Sequence, residues 1–338
     1  MVLAATLYDS NENILLKANH KLTSHNIRRI RDLNYGGLYI YEDNDIFNFN
    51  ELISEQTRIA ALKSLKQLNI DKCLFLAHEI LNEIRCNASM LVETMHLSSF
   101  DNYTYMHCVN VTILSAVTGI ALGFTDEQLK QLSQASLLHD IGKTHIAKEI
   151  LDKPDILTAE EYQEIKKHPL YGYDILKEND AFSSVVRNAA FSHHENEDGT
   201  GYPRGLTTDK IHIFAKIIHI ADVYDALTSR RVYKEPLNPA DALEYLMANT
   251  GTMFDKSILE VFLRYVAPYP IGTSIILSTG QTAIVVKNNE DCLTRPIIKL
   301  ANGTIINLLH TLDITIKDLV TNRDTKPGKK GQLSTHTA

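Results

Sequence analysis

Two runs of this chain set metal-binding side chains next to one another. They are His139-Asp140-Ile141-Gly142-Lys143 and His193-His194-Glu195-Asn196-Glu197-Asp198-Gly199-Thr200-Gly201-Tyr202-Pro203. The first puts an imidazole beside a carboxylate, with a lysine three residues on. The second puts two imidazoles in a row before a glycine-rich turn. Such pairs suit a core poorly, because each buried imidazole or carboxylate needs a partner. They suit a cluster of divalent metals that organises a phosphate ester. With His107, His168 and Asp222 they make seven candidate ligands: His107, His139, Asp140, His168, His193, His194 and Asp222. Imidazoles with a few carboxylates fit iron, manganese, zinc, cobalt or nickel, and a carboxylate such as Asp140 can bridge two ions. Two metals ~3.5–4 Å apart can share a hydroxide for in-line attack on phosphorus and stabilise the leaving oxygen. Taken alone, His107 or His168 reads as a packing histidine and Asp222 as a cap or salt-bridge partner. Their joint occurrence carries the metal reading.

These residues must be delivered by helices. Thr125-Asp126-Glu127-Gln128 and Thr158-Ala159-Glu160-Glu161 have the spacing of capping boxes. The second predicts a helix ending near His168-Pro169. Ser183-Ser184 opens a helix that brings His193 and His194 to its C-terminal end, and another runs from about Ile213 to Ser229. A further helix begins after Pro239. Upstream, Ile59, Leu62, Leu65 and Leu68, then Leu74, Leu76, Ile80, Leu81 and Ile84, give a helical pair that packs on itself or on a second subunit.

The two ends read differently. Thr6-Leu7-Tyr8 and Ile14-Leu15-Leu16 flank an Asn- and Asp-containing turn, which predicts a hairpin. Thr23-Ser24-His25 can cap a short helix carrying Ile27, Ile30 and Leu33, and Gly37–Tyr41 reads as a strand. Beyond Pro268-Tyr269-Pro270, β-branched runs at 273–277, 282–286 and 296–300 predict a small β appendage ending near Leu319. The expected organisation is therefore a mainly α protein in five segments. These are a small α+β module (1–50), a helical connector able to dimerise (51–98), a catalytic block (99–268), the β appendage (269–320) and a disordered polar tail (321–338).

Composition bounds the rest. With 44% hydrophobic and 22% charged residues the chain is of ordinary globular type. Net charge is -7, so no global basic field recruits duplex nucleic acid, and an anionic substrate must be held by local cations or metals. Cys73, Cys86, Cys108 and Cys292 show no C-x-x-C spacing and read as reduced thiols. No signal peptide and no ~18-residue uninterrupted apolar run is evident, so a cytoplasmic location without a membrane span is expected.

His139-Asp140-Ile141-Gly142-Lys143, His168-Pro169 with Gly172, the His193–Pro203 run and Asp222-Val223-Tyr224-Asp225-Ala226-Leu227-Thr228-Ser229 together resemble the HD-GYP family. That family is the bacterial subclass of HD-domain phosphohydrolases that open cyclic di-GMP. The resemblance spans about residues 100–265 and implies an all-helical HD-type bundle there. It assigns the seven positions above as metal ligands and Lys143 as the contact to the scissile phosphate and nucleophile. Arg231 and Lys234 match the basic positions that grip the substrate phosphates. Tyr202 matches the tyrosine of a loop near the substrate, a proposed contact surface for GGDEF-type diguanylate cyclases. The implied activity is hydrolysis of cyclic di-GMP to pGpG or GMP by attack of a metal-bridging hydroxide, with iron or manganese as the metal. Rival readings are hydrolysis of another cyclic dinucleotide or nucleotide, or an inert cyclic di-GMP sensor.

Two departures from the pattern matter. Where some members have a metal-binding Glu four residues before the first ligand histidine, this chain has Tyr103, so two ions are expected, not three. Val232 stands where a proline is usual, a minor loop change. His219, one helical turn from Asp222, corresponds to no family ligand and is left out of the site. His145 lies just beyond the site motif, and the other histidines read as surface or packing residues.

Overall fold

The computed structural model describes residues 2–3, 6–8, 13–32, 40–41, 52–87, 91–93, 103–153, 155–229 and 236–320. The chain divides into two compact units, Met1–Pro270 and Ile271–Ala338. The tail expected at 321–338 lies outside the described residues, as do 33–39 with most of the Gly37–Tyr41 run.

In the first unit, β1 (Val2–Leu3) and β2 (Leu7–Tyr8) are followed by β3 (Ile14–Leu16), α1 (Ser24–Asp32) and β4 (Ile40–Tyr41). The expected hairpin is β2 paired antiparallel with β3, and β1 pairs antiparallel with β4. Leu3, Leu7 and Ile30 form its own small core.

The helical pair is α2 (Glu55–Lys66) and α3 (Ile70–Cys86), opened by Ser54 and Asn69, whose side chains accept the N–H groups of Thr57 and Lys72. Their facing stripes bury Ala61, Leu62 and Leu65 against Leu76, Ala77, Ile80 and Ile84. Leu68 departs from the expected stripe. It falls beyond the end of α2 at φ +52° and is 48% exposed, because the chain reverses there before Asn69 caps the next helix.

After β5 (Val92–Glu93) come α4 (Tyr103–Ala121), α5 (Asp126–Leu137), α6 (Lys148–Leu151), α7 (Ala159–Ile165) and α8 (His168–Lys177). They are followed by α9 (Ser184–Ser192), α10 (Ile213–Thr228), α11 (Pro239–Ala248), α12 (Lys256–Phe262) and β6 (Val266–Ala267), the last paired parallel with β5. Helix α4 packs against α5 and α10 and also meets α2, α3 and α12. It is apolar on nearly every face, as a central helix must be. By length and composition, Thr104–Ala121 alone among the described residues passes as a membrane span, yet 72% of that window is buried inside the protein. It is a core helix. Both expected capping boxes are formed, at Thr125 with Gln128 and at Thr158 with Glu161. Replacing Thr125 with alanine strands the Gln128 N–H and is expected to cost about 1 kcal/mol, read from the urea midpoint.

One boundary differs from expectation. The helix begun at Thr158 stops at Ile165, and His168 starts a new helix with Pro169 in its first turn. Proline fits there because a first-turn N–H has no helical acceptor. His168 thereby sits at a helix start and is free to turn inward.

The second unit is a five-stranded antiparallel sheet, β7 (Ser274–Leu277), β8 (Thr282–Lys287), β9 (Ile297–Leu300), β10 (Ile305–Asn307) and β11 (Ile316–Leu319), in the order β10-β9-β8-β7-β11. Ile275, Leu277, Ala283, Val285 and Ile298 form its buried face. The short strand β10 was not expected from the sequence. Its three residues carry no alternation to mark them.

Candidate metal centre

Five elements of the first unit bring the candidate ligands together. Helix α4 supplies His107, and α10 supplies Asp222. The turn after α5 supplies His139 and Asp140, the start of α8 supplies His168, and the end of α9 supplies His193 and His194. All but His194 are buried, and His194 is nearly so.

A common device orients three of the imidazoles. His139 Nδ1 lies 2.7 Å from the Ser136 carbonyl, His168 Nδ1 2.8 Å from that of Ile165, and His193 Nδ1 2.6 Å from that of Ala190. A carbonyl only accepts, so each Nδ1 carries the proton and donates. In the neutral ring, the form that ligates a metal, each Nε2 is then a bare lone pair. These nitrogens converge on Asp140. His168 Nε2 is 3.2 Å from Oδ1, His139 Nε2 is 3.5 Å from Oδ2, and His168 and His193 Nε2 are 3.3 Å apart. Lone pairs so close repel unless a cation lies among them. His139 Nε2 is moreover buried without a hydrogen-bond partner. Neutral imidazole nitrogens around a shared carboxylate are a donor set for divalent transition metals, so the residues present fit such ions.

His107 is oriented by a carboxylate. Its Nδ1 lies 2.7 Å from Asp225 Oδ2, while Nε2 lies 3.0 Å from Asp222 Oδ1 and 3.8 Å from Asp140 Oδ2. Asn110 Nδ2 donates to the other Asp225 oxygen at 3.0 Å. Candidate ligand atoms fall into overlapping groups: Asp140, His168, His193 and His194; His107, His139 and Asp140; and His194, His219 and Asp222. The first two share Asp140.

The electrostatics agree with this donor set. Burial would raise the Asp140 carboxyl, but the Lys143 ammonium together with His139 and His168 outweighs it and holds the group well below its usual range. Burial likewise acts to raise Asp222, and His107 and His194 hold it well below. Burial lowers His139, His193 and His194, leaving them neutral near pH 7, the form that ligates. His107 differs: burial pulls it down, yet Asp222 and Asp225 push it up to about 9. A divalent ion shared by His107 and Asp222 competes with that proton.

Lys143 Nζ donates to Asp140 Oδ2 at 2.5 Å from a half-exposed position. Tyr202 stacks on His194, with ring centroids 4.7 Å apart and planes 24° apart. Its loop folds back on the histidines. Tyr202 N–H donates to the His194 carbonyl, and the buried Glu195 carboxylate accepts the N–H groups of Arg204 and Leu206, each at 2.8 Å. Gly201 lies so close beneath that a Cβ would come within 2.3 Å of Asn196 N. Arg231 and Lys234 lie outside the described residues. Tyr103 begins α4, and its side chain is likewise outside them.

His219, left out on sequence grounds, has a ring nitrogen within 4.8 Å of candidate ligand atoms of His194 and Asp222. Its Nε2 faces Asn196 Oδ1 at 3.1 Å and its ring packs on Phe254. Those contacts make it a brace for the loop after His194. His145 is exposed, 5.8 Å from the Tyr171 ring. Asp225 was not singled out from the sequence, although its position one turn after Asp222 puts both carboxylates on one helix face. Replacing Asp225 with asparagine is expected to weaken zinc binding about 10-fold or more, the scale for a residue that orients a ligand histidine, as read by competition with a chromophoric chelator.

Comparison with known proteins adds to this geometry. The family described as HD domain matches residues 85–258. A cyclic di-GMP phosphodiesterase of Pseudomonas aeruginosa is 32% identical over 255 residues, which are 74% of this chain and 61% of that protein. A 3'3'-cGAMP-specific phosphodiesterase of Vibrio cholerae is 39% identical over 144 residues, which are 42% of this chain and 28% of that protein. The chain spans about half the length of the curated relatives it matches. Among solved structures, an HDG"Y"P protein of Bdellovibrio bacteriovorus superposes with a TM-score of 0.52 at 21% identity, covering 78% of this chain and 94% of that one. That likeness speaks for the fold.

Proposed function

Because this chain belongs to the HD domain family, we propose that its metal centre serves a phosphodiesterase that hydrolyses cyclic di-GMP to pGpG or GMP. The observation that carries this reading is the convergence of bare histidine Nε2 atoms on the shared Asp140 carboxylate. The resemblance to the HD-GYP pattern and the named activity of the Pseudomonas relative support the substrate.

In this reading two ions, iron or manganese, would be held by His107, His139, Asp140, His168, His193, His194 and Asp222, with Asp140 a candidate ligand in both of the groups that contain it. When bound, they supply Lewis acidity toward a phosphoryl oxygen and a water acidified to near neutral pH. The protein's own groups do the rest. Lys143, already beside Asp140, places its ammonium where charge builds on the phosphoryl oxygens. Tyr202, kept a neutral phenol by burial, walls the site next to His194. Arg231 and Lys234 grip the substrate phosphates. Replacing Lys143 with methionine is expected to lower kcat on the order of 10²-fold with metal content unchanged, measured by product chromatography alongside metal analysis.

The broader organisation follows the segments 1–50, 51–98, 99–268, 269–320 and 321–338. The connector is assigned a homodimer contact, for which the exposed Phe75 on α3 offers apolar surface. The Gly201-Tyr202-Pro203 loop is assigned a diguanylate cyclase contact, and the protein a cytoplasmic location. Anaerobic purification, metal analysis and product identification from cyclic di-GMP test the function. Absence of turnover in metal-replete protein would sink it. The Vibrio relative supports a second reading, hydrolysis of cyclic GMP-AMP, and side-by-side turnover of the two dinucleotides decides between them. An inert sensor is disfavoured, because a pure binder needs neither this donor set nor Lys143.

A further inference from the structure

The lysines around this site are mostly committed to carboxylates. Lys143 is held by Asp140, Lys153 by Glu161 at 2.6 Å, Lys167 by Glu164 at 2.5 Å, and Lys216 by Glu197 at 3.0 Å and by Asp255. Lys166 differs. Among the described residues no carboxylate lies within ion-pair distance of it. Its ammonium sits instead over two aromatic rings, 4.9 Å from the Tyr202 centroid and 5.3 Å from that of Tyr162.

The placement is fixed from both sides. Lys166 ends α7 one turn after Tyr162 and lies two residues before His168. Tyr202 in turn stacks on His194. Imidazole, phenol and ammonium thus form a layered wall running outward from the metal centre. Aromatic rings hold an ammonium through their quadrupole without cancelling its charge, unlike a carboxylate. The charge therefore stays available to an anion. Tyr162 is half exposed beside it and offers a flat face of the kind on which nucleobases stack.

We propose that Lys166, held over Tyr202 and Tyr162, is a substrate-binding residue that takes the second phosphodiester of the cyclic dinucleotide while the first is on the metals. This rests on the phosphodiesterase reading above. A substrate with two phosphates needs a cation at each, and Lys143 is occupied beside the first. Lys166 supplies the second, in addition to the phosphate-binding roles assigned above to Arg231 and Lys234. It would thereby favour dinucleotides over simple diesters.

The test compares Lys166→Met, which keeps the stem and removes the charge, with wild type in the metal-loaded full chain. Metal content is measured for both. KM for cyclic di-GMP should rise about tenfold, as for loss of one charge-assisted phosphate contact. KM for bis(4-nitrophenyl) phosphate, which has a single phosphodiester, should move less than twofold, and Lys166→Arg should restore the dinucleotide KM. An unchanged cyclic di-GMP KM in Lys166→Met overturns the assignment and leaves the enzyme reading standing. Equal losses on both substrates also overturn it, by pointing to general disruption of the site. Wild-type protein that cleaves the simple diester but not cyclic di-GMP overturns the substrate reading itself, and the assignment with it.

Discussion

Asp140→Ala is expected to remove metal and activity together. Metal analysis of the purified variant should find the centre depleted, and the proposed turnover of cyclic di-GMP should fall on the order of 10³-fold or more. The size follows from the carboxylate's position. Its two oxygens face different partners, His168 and His193 from Oδ1 and His107, His139 and Lys143 from Oδ2, at 2.5 to 3.9 Å. No other candidate ligand belongs to both of the groups that contain it. On the two-ion reading proposed above, losing it would unlink both ion positions at once, where losing a terminal histidine would weaken one. It also removes the negative charge that, in that reading, offsets the cations in a buried site, which is the costly term in a low dielectric. Asp140→Asn separates shape from charge. It keeps the volume and one acceptor oxygen, so it should fold like wild type and still bind metal poorly. Full turnover by either variant would remove Asp140 from the mechanism and with it the shared-carboxylate reading of the centre.

What could be read in advance was whatever is local along the chain. Thr125, Thr158 and Ser183 cap the helices expected of them, because a cap joins residues two or three apart. Four of the seven candidate ligands stand in adjacent His-Asp and His-His pairs, which are conspicuous in a string, and His107, His168 and Asp222 joined them through their joint occurrence and the family resemblance. The carbonyls that orient His139, His168 and His193 each lie three residues upstream, so that device too was latent in the sequence. What stayed hidden depends on distant residues. Asp225 meets His107 across 118 positions and Asn110 across 115. No spacing rule marks such a pair. His219 was left out for want of a family counterpart despite its helical spacing from Asp222, and only the opposing Asn196 and Phe254 show what task it has instead. Lys166 is one basic residue among several until the fold lays it over Tyr202. The end of α7 near His168-Pro169 was expected, but not that His168 would itself open α8, because the run from Thr158 to Lys177 is helical in composition throughout. Only the inward turn of His168 shows why it must be interrupted.

Gly142→Ala should be nearly as damaging as loss of a ligand, although Gly142 touches no ion and is not part of the donor set. A Cβ built there would stand 2.0 Å from the His168 carbonyl oxygen and 2.4 Å from Gly172 N. Both neighbours are backbone of α8, so no rotamer change relieves the contact. The helix must back away from the turn that carries His139 and Asp140. Overpacking of this kind typically costs about 1–3 kcal/mol, but the larger effect is geometric. His168 enters the centre from the first residue of α8, and a displacement of about 1 Å there is enough to cost on the order of 10²-fold in rate. The partner glycine provides the contrast. A Cβ on Gly172 would meet Gly142 N at 3.4 Å and Ile141 Cγ2 at 3.6 Å, both ordinary contacts. Gly172→Ala should therefore melt within a few degrees of wild type, with normal metal content. Gly142→Ala should melt lower and, on the two-ion reading proposed above, lose metal chiefly from the position that His168 would serve, leaving a stoichiometry near one. The two glycines look equivalent in the sequence. Equal behaviour of the two variants would show that the close approach of α8 to the His139-Asp140 turn is not what sets the position of His168.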